Sequence, residues 1–394
     1  MKILHTVEFY SPSVGGMQEV VKQLSERLVQ NGHQVTVATK LLPARCQKNL
    51  NGVQVEEFNI SGNYARGMTG EVERYQRFLI DSPFDVITNF AAQQWATDAM
   101  LPVLEKISAR KVFVPTGFSG LYSSLYRNYF ISMKGWMKQY DRNVFLSSDY
   151  RDINYARENG VRNAVIIPNG ANEVEFLAEP ICDIRARLGI PHNHILILLV
   201  GSHTGLKGHA EVIRIFSKTQ IKDATLLIVA NDSGGGCARA CNIRKVFFNK
   251  WPKRKLDRKC LIITTLSRQE TIAAYHGADL FLFPSNIECS PLVLFECMAS
   301  RTPFLSTDVG NAAEIVNWSN SGVILPTTID MSGYSRVLIE PAAKILAQVA
   351  LDSDRRIALA DNGFKVWQKR FTWDKISKEY ESLYTRIVQG EICT

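Results

Sequence analysis

Short apolar runs alternate with amphipathic segments along most of the chain, and this alternation predicts an α/β protein. A short apolar run at residues 3–7 is followed by apolar residues at helical spacing over 20–29 and by an alternating segment at 35–37. This strand–helix–strand order is typical of a βαβ unit, the building block of a parallel sheet. Further apolar runs lie at residues 86–88, 112–114, 144–146 and 165–167. The first half is therefore predicted to be a doubly wound parallel sheet.

Turn residues interrupt the pattern from residue 168 to residue 180, and the alternation then restarts with the apolar run Ile195–Val200. We predict a Rossmann-like N-terminal domain over residues 1–175 and a Rossmann-like C-terminal domain over residues 176–372. A C-terminal amphipathic helix within residues 373–394 is expected to pack back on the first domain. Ligands of such sheets bind at the carboxyl ends of the strands, so a cleft between two facing domains is the expected site.

The composition agrees with two globular domains. The chain has 394 residues, of which 46% are hydrophobic and 21% charged, which excludes a disordered chain. Its longest apolar run, Ile195–Val200, is far shorter than the roughly 20 residues of a membrane-spanning helix. The first residues, MKILHTVEFY, lack the pattern of a signal peptide. We therefore expect a cytoplasmic protein.

The net charge of +8 comes from one segment. Residues 237–259 contain nine Lys or Arg and one acidic residue, which accounts for the whole excess. A chain that is otherwise neutral is not a general nucleic-acid binder, so no nucleic-acid partner is expected. The segment predicts either a solvated surface or attraction to an anionic membrane, which would place the protein peripherally on the inner face. Cys237 and Cys241 lack a second Cys or Cys/His pair in the sequence, so no metal site is predicted.

The most informative motif surrounds the sequence ECSPLVLFE, residues 288–296. Ser290 before Pro291 predicts a helix N-cap, which would leave the first-turn amides of Leu292 and Val293 free to bind a phosphate. Two glutamates, Glu288 and Glu296, flank this helix start. Glu296 lies among apolar residues, and a buried carboxylate needs partners. The hydroxyl groups of a sugar or a ribose would supply them.

A second motif is the glycine-rich sequence VGSHTGLKGH, residues 200–209. It follows the most apolar predicted strand and precedes a predicted helix, with Lys207 near its end. Such a loop is typical of phosphate binding, although it lacks the spacing of a P-loop. A plain strand–helix turn is an equally good interpretation of this motif alone.

With these motifs the chain resembles the family 4 glycosyltransferases, which are retaining enzymes of the GT-B fold. The resemblance covers essentially the full length. It rests on the E-x7-E motif of Glu288 and Glu296, the glycine pair Gly15-Gly16, the sequence Pro168-Asn169-Gly170, Gly201 with Lys207-Gly208, and Gly310 with Glu314.

The resemblance implies a nucleotide-diphosphate sugar, a UDP- or GDP-sugar, bound mainly by the second domain. Lys207 and Glu288 would be catalytic, with Lys207 and the helix start stabilising the departing diphosphate without a metal or other cofactor. Glu288 would contact the donor sugar and Glu296 the ribose. The implied donor-binding residues are Gly15, Gly16, Gly201, Ser202, Lys207, Thr265, Leu266, Glu288, Ser290, Pro291, Leu292, Val293 and Glu296.

Three positions depart from the family pattern. Ser202 stands where many members have arginine, Thr116-Gly117 replaces a frequent histidine near the sugar, and the sequence TTLS at 264–267 lacks a usual glycine. On the acceptor side, the loops that follow first-domain strands suggest Asn89, Thr116 and Gly117 as binding residues.

The function that follows is transfer of a sugar, with retention, to a glycan or lipid-linked acceptor in cell-surface polysaccharide or glycolipid biosynthesis. Two alternatives stay open at this point. One is another GT-B activity, a sugar-nucleotide epimerase or a phosphorylase. The other is a non-catalytic protein that binds nucleotide sugars or nucleic acid.

Overall fold

The structure is a computed structural model that describes residues 1–231 and 235–391, apart from the side chain of Arg254. The chain divides into two compact units, one made of Met1–Asn169 with the C-terminal segment from Trp373, and the other of Gly170–Thr372. The first unit thus ends six residues before the predicted boundary at residue 175. The reason is Ala171, whose amide donates to the Phe371 carbonyl over 3.0 Å, so that this stretch pairs with the end of the second unit.

The first unit is built on an eight-stranded sheet. Its strands are β1 (Lys2–Thr6), β2 (Gln34–Lys40), β3 (Asn49–Leu50), β4 (Val53–Phe58), β7 (Val86–Phe90), β8 (Arg110–Val114), β9 (Arg142–Phe145) and β10 (Ala164–Ile166), and a small hairpin adds β5 (Ile60–Asn63) and β6 (Gly67–Gly70). The order across the sheet is β10-β9-β8-β7-β1-β2-β4-β3. Every residue of β7 is buried, as expected for a strand covered on both faces.

Helices connect these strands as crossovers. They are α1 (Gly16–Gln30), α2 (Val72–Asp81), α3 (Trp95–Asp98), α4 (Arg127–Gln139) and α5 (Arg151–Glu158), with 3-10 turns at Leu101–Lys106 and Ser124–Tyr126. In α1 the buried residues include Val20, Val21, Leu24 and Leu28, which recur at helical spacing along one face. The predicted first βαβ unit is thus present.

The second unit is built on a six-stranded parallel sheet. Its strands are β11 (Ile195–Val200), β12 (Ala224–Val229), β13 (Lys259–Thr264), β14 (Leu280–Phe283), β15 (Phe304–Thr307) and β16 (Gly322–Leu325), in the order β13-β12-β11-β14-β15-β16. A small antiparallel pair, β17 (Thr327–Ile329) and β18 (Ser335–Val337), follows. The prediction of two doubly wound parallel sheets is confirmed.

The helices of the second unit cover its sheet and complete the core. They are α6 (Glu173–Phe176), α7 (Ile184–Leu188), α8 (His209–Lys218), α9 (Gly236–Lys250), α10 (Pro252–Leu256), α11 (Arg268–Gly277), α12 (Leu292–Ala299), α13 (Ala312–Ser319), α14 (Ile339–Leu351) and α15 (Ser353–Arg370). Within the ranges that the structure describes, none of the helices has both the length and the apolar composition needed to cross a bilayer.

The last helix, α16 (Trp373–Val388), belongs to the first unit. Its Tyr384 hydroxyl lies 3.2 Å from His5 Nε2 in β1 and 2.7 Å from Thr88 Oγ1 in β7. Both strands are central in the sheet, so α16 packs over its middle. Residues 392–394 of the predicted helical segment lie outside the described residues.

Candidate active site

The strand order of the second unit changes direction at β11. From β11 the chain builds the sheet outward through β12 to β13, and then returns to the other side of β11 with β14. The loops that leave β11 and β14 therefore diverge, and such a switch point is where ligands bind in open parallel sheets. The predicted phosphate loop, residues 201–208, follows β11, and residues 284–291 follow β14.

The two predicted catalytic residues meet at this switch point. Lys207 Nζ donates a hydrogen bond of 2.6 Å to Glu288 Oε1, and Ser285 Oγ donates one of 2.8 Å to the same oxygen. The Lys207 side chain is 30% exposed and the Glu288 side chain 11%. The ammonium therefore stays accessible while a nearly enclosed carboxylate holds it. Ser285 was not predicted, although it lies only three residues before Glu288.

Two glycines pack the loop after β14 against its neighbours. Gly208 has a φ of +74° and Gly310 a φ of +56°, a region that favours glycine. A Cβ on Gly208 would overlap the carbonyl oxygen of Pro284, and one on Gly310 would overlap that of Cys289. The backbone at Gly208 and at Gly310 thus packs against the two ends of the loop that carries Glu288, at distances that only glycine permits.

The predicted cap of the next helix is wrong. Helix α12 begins at Leu292 with Pro291 as its N-cap, in an extended conformation and without a side-chain cap. Ser290 is buried, and its hydroxyl oxygen accepts a hydrogen bond of 3.1 Å from Asn311 Nδ2 instead. The first-turn amides of Leu292 and Val293 precede any possible intrahelical acceptor, so anion binding by this helix start stays a prediction.

Glu296 lies inside the second unit with a donor on each carboxylate oxygen. Arg268 Nη1 lies 2.6 Å from Oε1, and the Tyr275 hydroxyl donates to Oε2 over 2.8 Å. Burial and the Glu296 carboxylate both raise the pKa of Tyr275, so this hydroxyl keeps its proton. Arg268 also binds Glu175 over 2.6 Å. The sequence predicted partners for Glu296 but did not identify Arg268 or Tyr275. Both residues lie on α11, 28 and 21 residues before Glu296.

The other predicted donor-binding residues of the second unit lie along the same edge of its sheet. Gly201 and Ser202 directly follow β11, and Thr265 and Leu266 directly follow β13. Ser202 and Thr265 are exposed, whereas Leu266 packs against the hydrophobic core. The side chains of Ser202 and Thr265 can therefore contact a ligand.

The predicted donor-binding glycines of the first unit lie at the start of α1. Gly15 is the N-cap, in extended conformation, and Gly16 is the first helical residue. Neither carries a side chain that would cover the amides of this helix start. Gly15 and Gly16 belong to the first unit, whereas Lys207 and Glu288 belong to the second.

Asn89, a predicted acceptor-binding residue, is fully buried in β7. Its Nδ2 donates to Thr6 Oγ1 over 2.7 Å, and its Oδ1 accepts from the Tyr140 hydroxyl over 2.9 Å. The side chain thus joins elements in the interior of the first unit and presents no exposed polar atom.

Thr116 and Gly117, the other predicted acceptor-binding residues, lie in a strained loop. Thr116, Gly117 and Phe118 have φ values of +59°, +98° and +48°. The amide of Gly117 donates to Asp152 Oδ2 over 2.8 Å, and burial raises the pKa of Asp152 to about 6. Consecutive residues in sparsely populated conformations are typical of functional loops. No sequence pattern predicts the contact between Gly117 and Asp152.

Two family models match the chain, one in each half. The model for Glycosyltransferase Family 4 matches residues 14–174, and the model for glycosyl transferases group 1 matches residues 181–341. The chain is a family 4-like glycosyltransferase of the GT-B type. An uncharacterized glycosyltransferase of Methanocaldococcus jannaschii is 25% identical to it over 405 residues, which cover 98% of each chain. The lipopolysaccharide glucosyltransferase WaaG of Escherichia coli is 23% identical over 358 residues, 88% of this glycosyltransferase and 89% of WaaG.

Solved structures share the fold of this glycosyltransferase over nearly its full length. Sucrose-phosphate synthase from Thermosynechococcus elongatus superimposes with a TM-score of 0.79 at 18% identity, covering 99% of both chains. HepE of Anabaena, in complex with UDP-glucose, superimposes with a TM-score of 0.76 at 14% identity, covering 98% of this chain and all of HepE. These similarities confirm the predicted GT-B fold with two parallel-sheet domains.

Proposed function

We propose that the protein is a retaining glycosyltransferase that transfers a sugar from a UDP- or GDP-sugar to a glycan or lipid-linked acceptor. The observation that carries the proposal is the Lys207–Glu288 pair, held over 2.6 Å between the two loops of the switch point. A fixed, accessible ammonium next to a carboxylate suits a ligand that has both a diphosphate and sugar hydroxyl groups. The structure of HepE with UDP-glucose shows that a protein of this fold binds such a donor.

Lys207 would bind the diphosphate, because only one of its three N–H groups is needed for Glu288. The amides of Leu292 and Val293 would bind the same diphosphate, helped by the partial positive charge of the helix start. Together these groups stabilise the negative charge that develops on the leaving group, so the transfer step needs no metal. Glu288 would accept hydrogen bonds from hydroxyl groups of the donor sugar.

Glu296 would bind the ribose. Its oxygens already accept from Arg268 and Tyr275, and each carboxylate oxygen can accept more than one hydrogen bond. Arg268 and Tyr275 would then act as positioning residues that fix the carboxylate. Gly201, Ser202, Thr265 and Leu266, at the ends of β11 and β13, would line the rest of the nucleotide site.

In the transfer step the bond between the anomeric carbon and the diphosphate oxygen breaks, and a bond to the acceptor oxygen forms on the same face of the sugar. The acceptor hydroxyl gives its proton to the departing phosphate oxygen. This route retains the anomeric configuration and requires no side chain as a base. Gly15 and Gly16 would approach the phosphates, and Thr116 and Gly117 would contact the acceptor.

We further propose that the protein works at the cytoplasmic face of an anionic membrane, in the biosynthesis of a cell-surface polysaccharide or glycolipid. Phe247 on α9 is 70% exposed, and Trp251, directly after the end of α9, is 62% exposed. A groove of about 440 Å³ next to them is lined in part by Arg214, Lys218 and Arg244. Exposed aromatic rings with neighbouring cations suit insertion between acidic lipid headgroups.

Two of the nine basic residues in the predicted segment do not belong to this surface. Lys259 is buried and donates to the carbonyls of Phe216 and Thr219 over 2.6 and 2.8 Å. Arg258 forms an ion pair with Asp223. The side chain of Arg254 lies outside the described residues. The charge available to a membrane is therefore smaller than the sequence suggested.

A thermal-shift screen of nucleotide sugars tests the donor. A ligand at 100 times its Kd stabilises the protein by about 2.7 kcal/mol, so a UDP- or GDP-sugar should raise the Tm clearly above that given by the free sugar. Transfer to an acceptor, followed by NMR of the product, then reports the anomeric configuration. The absence of a shift with every nucleotide sugar contradicts the donor assignment, and an inverted product contradicts the retaining mechanism.

A further inference from the structure

A histidine and two cysteines converge beside the phosphate loop. His203 lies in the loop after β11, and Cys237 and Cys241 lie one turn apart near the start of α9. The ligand atoms of the three side chains all lie within 4.8 Å of one another. His203 Nδ1 and Cys237 Sγ are 3.5 Å apart. The sequence did not predict this cluster because the histidine is 34 residues from the nearer cysteine.

The separation of these atoms matches that of two ligands on one cation. With Zn–S bonds of about 2.3 Å and Zn–N bonds of about 2.0 Å, tetrahedral angles place a sulfur and a nitrogen about 3.5 Å apart. Cysteines four residues apart lie on the same face of a helix, so both thiols point to the side where His203 lies. Thiolate and imidazole are also the ligand types that zinc prefers.

We propose that His203, Cys237 and Cys241 bind one Zn²⁺ ion. Each thiol releases its proton to solvent as its sulfur binds the cation, and His203 binds through Nδ1. A water molecule completes the tetrahedron. Cys241 is buried, whereas Cys237 and His203 are half-buried, which leaves a path for water and metal from the surface.

The ion would join the loop after β11 to α9. His203 lies four residues before Lys207, so the site would restrict the part of the loop that precedes the ammonium. Its role would be structural and would not include a step of the transfer. An effect of the ion on donor binding would depend on the proposed function. The metal site itself does not depend on it.

Cobalt binding under a non-thiol reductant tests the site directly. The wild-type protein should bind about one Co²⁺ per chain and show a near-ultraviolet thiolate-to-cobalt absorption, which Zn²⁺ should then displace. His203→Asn and Cys237→Ser should lose both signals while keeping the wild-type circular dichroism. Cys260→Ser, at a half-buried cysteine on β13 outside the cluster, is the matched control and should behave as wild type.

Absence of the thiolate absorption in the wild-type protein, or its persistence in both variants, overturns the proposal and leaves a thiol–imidazole hydrogen bond. The nucleotide-sugar thermal shift is then measured on zinc-loaded and chelator-treated protein. Metal binding without any donor shift would refute the donor assignment and leave the metal site standing. A donor shift in protein that binds no cobalt would refute the metal site and leave the donor assignment standing.

Discussion

Lys207 Nζ lies 2.6 Å from Glu288 Oε1 and thereby joins the loops that follow two adjacent parallel strands. The lysine is held where the carboxyl ends of β11 and β14 diverge, and Ser285 fixes the carboxylate in turn. A side chain that is already positioned loses less conformational entropy when it binds a ligand. The pair is therefore already positioned for the diphosphate that we propose it binds.

If Lys207 stabilises the developing charge on the diphosphate as proposed, replacing it with Ala should lower the rate of sugar transfer roughly 100-fold or more. The measurement is product formation at saturating donor. Lys344→Ala is the matched control, since Lys344 is an exposed lysine of α14 in the same unit. Equal rates for the two variants would remove Lys207 from the mechanism.

Replacing Tyr275 with Phe should lower the free energy of unfolding of the second unit by about 1–3 kcal/mol, because one oxygen of the buried Glu296 carboxylate loses its donor. Urea titration measures the change. Tyr334→Phe, at a half-buried tyrosine of the same unit, should change it by much less. A Tyr275→Phe protein as stable as wild type would mean that water replaces the hydroxyl without cost.

Replacing Gly208 with Ala should disrupt the loop more than the same change at Gly205. Both residues have positive φ, +74° and +81°, so the left-handed backbone costs each variant about 1 kcal/mol. Only at Gly208 does the new Cβ overlap the Pro284 carbonyl, while at Gly205 it points into open space. Melting temperatures and the donor-induced shift should therefore fall further for Gly208→Ala, and equal losses would contradict the packing argument.

Acid should destabilise the first unit through His5. Burial lowers the pKa of His5 to about 3, against 6.5 for the free side chain, so between these values the unfolded chain binds a proton that the folded one excludes. The contribution of His5 to stability is complete above pH 6.5 and is lost as the pH falls, at up to about 1.4 kcal/mol per pH unit. His5→Gln should flatten this slope in urea titrations between pH 6.5 and 4.5.

The control for that experiment is His192→Gln, at an exposed histidine of the second unit. The free energy of unfolding of this variant should change with pH as steeply as that of the wild type. If His5→Gln keeps the full slope, other groups cause the acid sensitivity.

Vesicles of phosphatidylcholine with an anionic lipid should bind the protein, and binding should weaken as salt is raised. The double variant Lys253→Gln with Lys255→Gln should bind more weakly, because each cation near the surface contributes up to about 1 kcal/mol. Lys375→Gln with Lys378→Gln removes the same charge from α16 and serves as the control. Equal binding to neutral and anionic vesicles would contradict the membrane proposal.

Much of the fold follows from local patterns in the sequence. The run Ile195–Val200 is a strand over those same residues, and helix α16 begins at Trp373 as its apolar spacing predicts. Buried parallel strands and amphipathic helices can be predicted because each produces a pattern of apolar residues within one continuous segment.

Contacts between distant segments leave no such pattern. Ser290 has the sequence of a helix cap, but its hydroxyl bonds Asn311 and the helix begins after Pro291. Arg268 and Tyr275 reach Glu296 from another helix, although the place of Arg268 just after β13, at the ligand-binding edge of the sheet, was a usable signal. Lys259, counted with the surface charges, is buried because two carbonyls on and just after α8 bind its ammonium.

The position of α16 sets the earliest point during synthesis at which the first unit can be complete. Residues 1–169 emerge from the ribosome first, yet their unit lacks its last helix until the carboxyl end has been translated. The hydrogen bonds of Tyr384 to His5 and Thr88 can therefore form only after the whole second unit has been translated. All of the second unit, a single uninterrupted segment, is therefore translated before the first unit has its last helix.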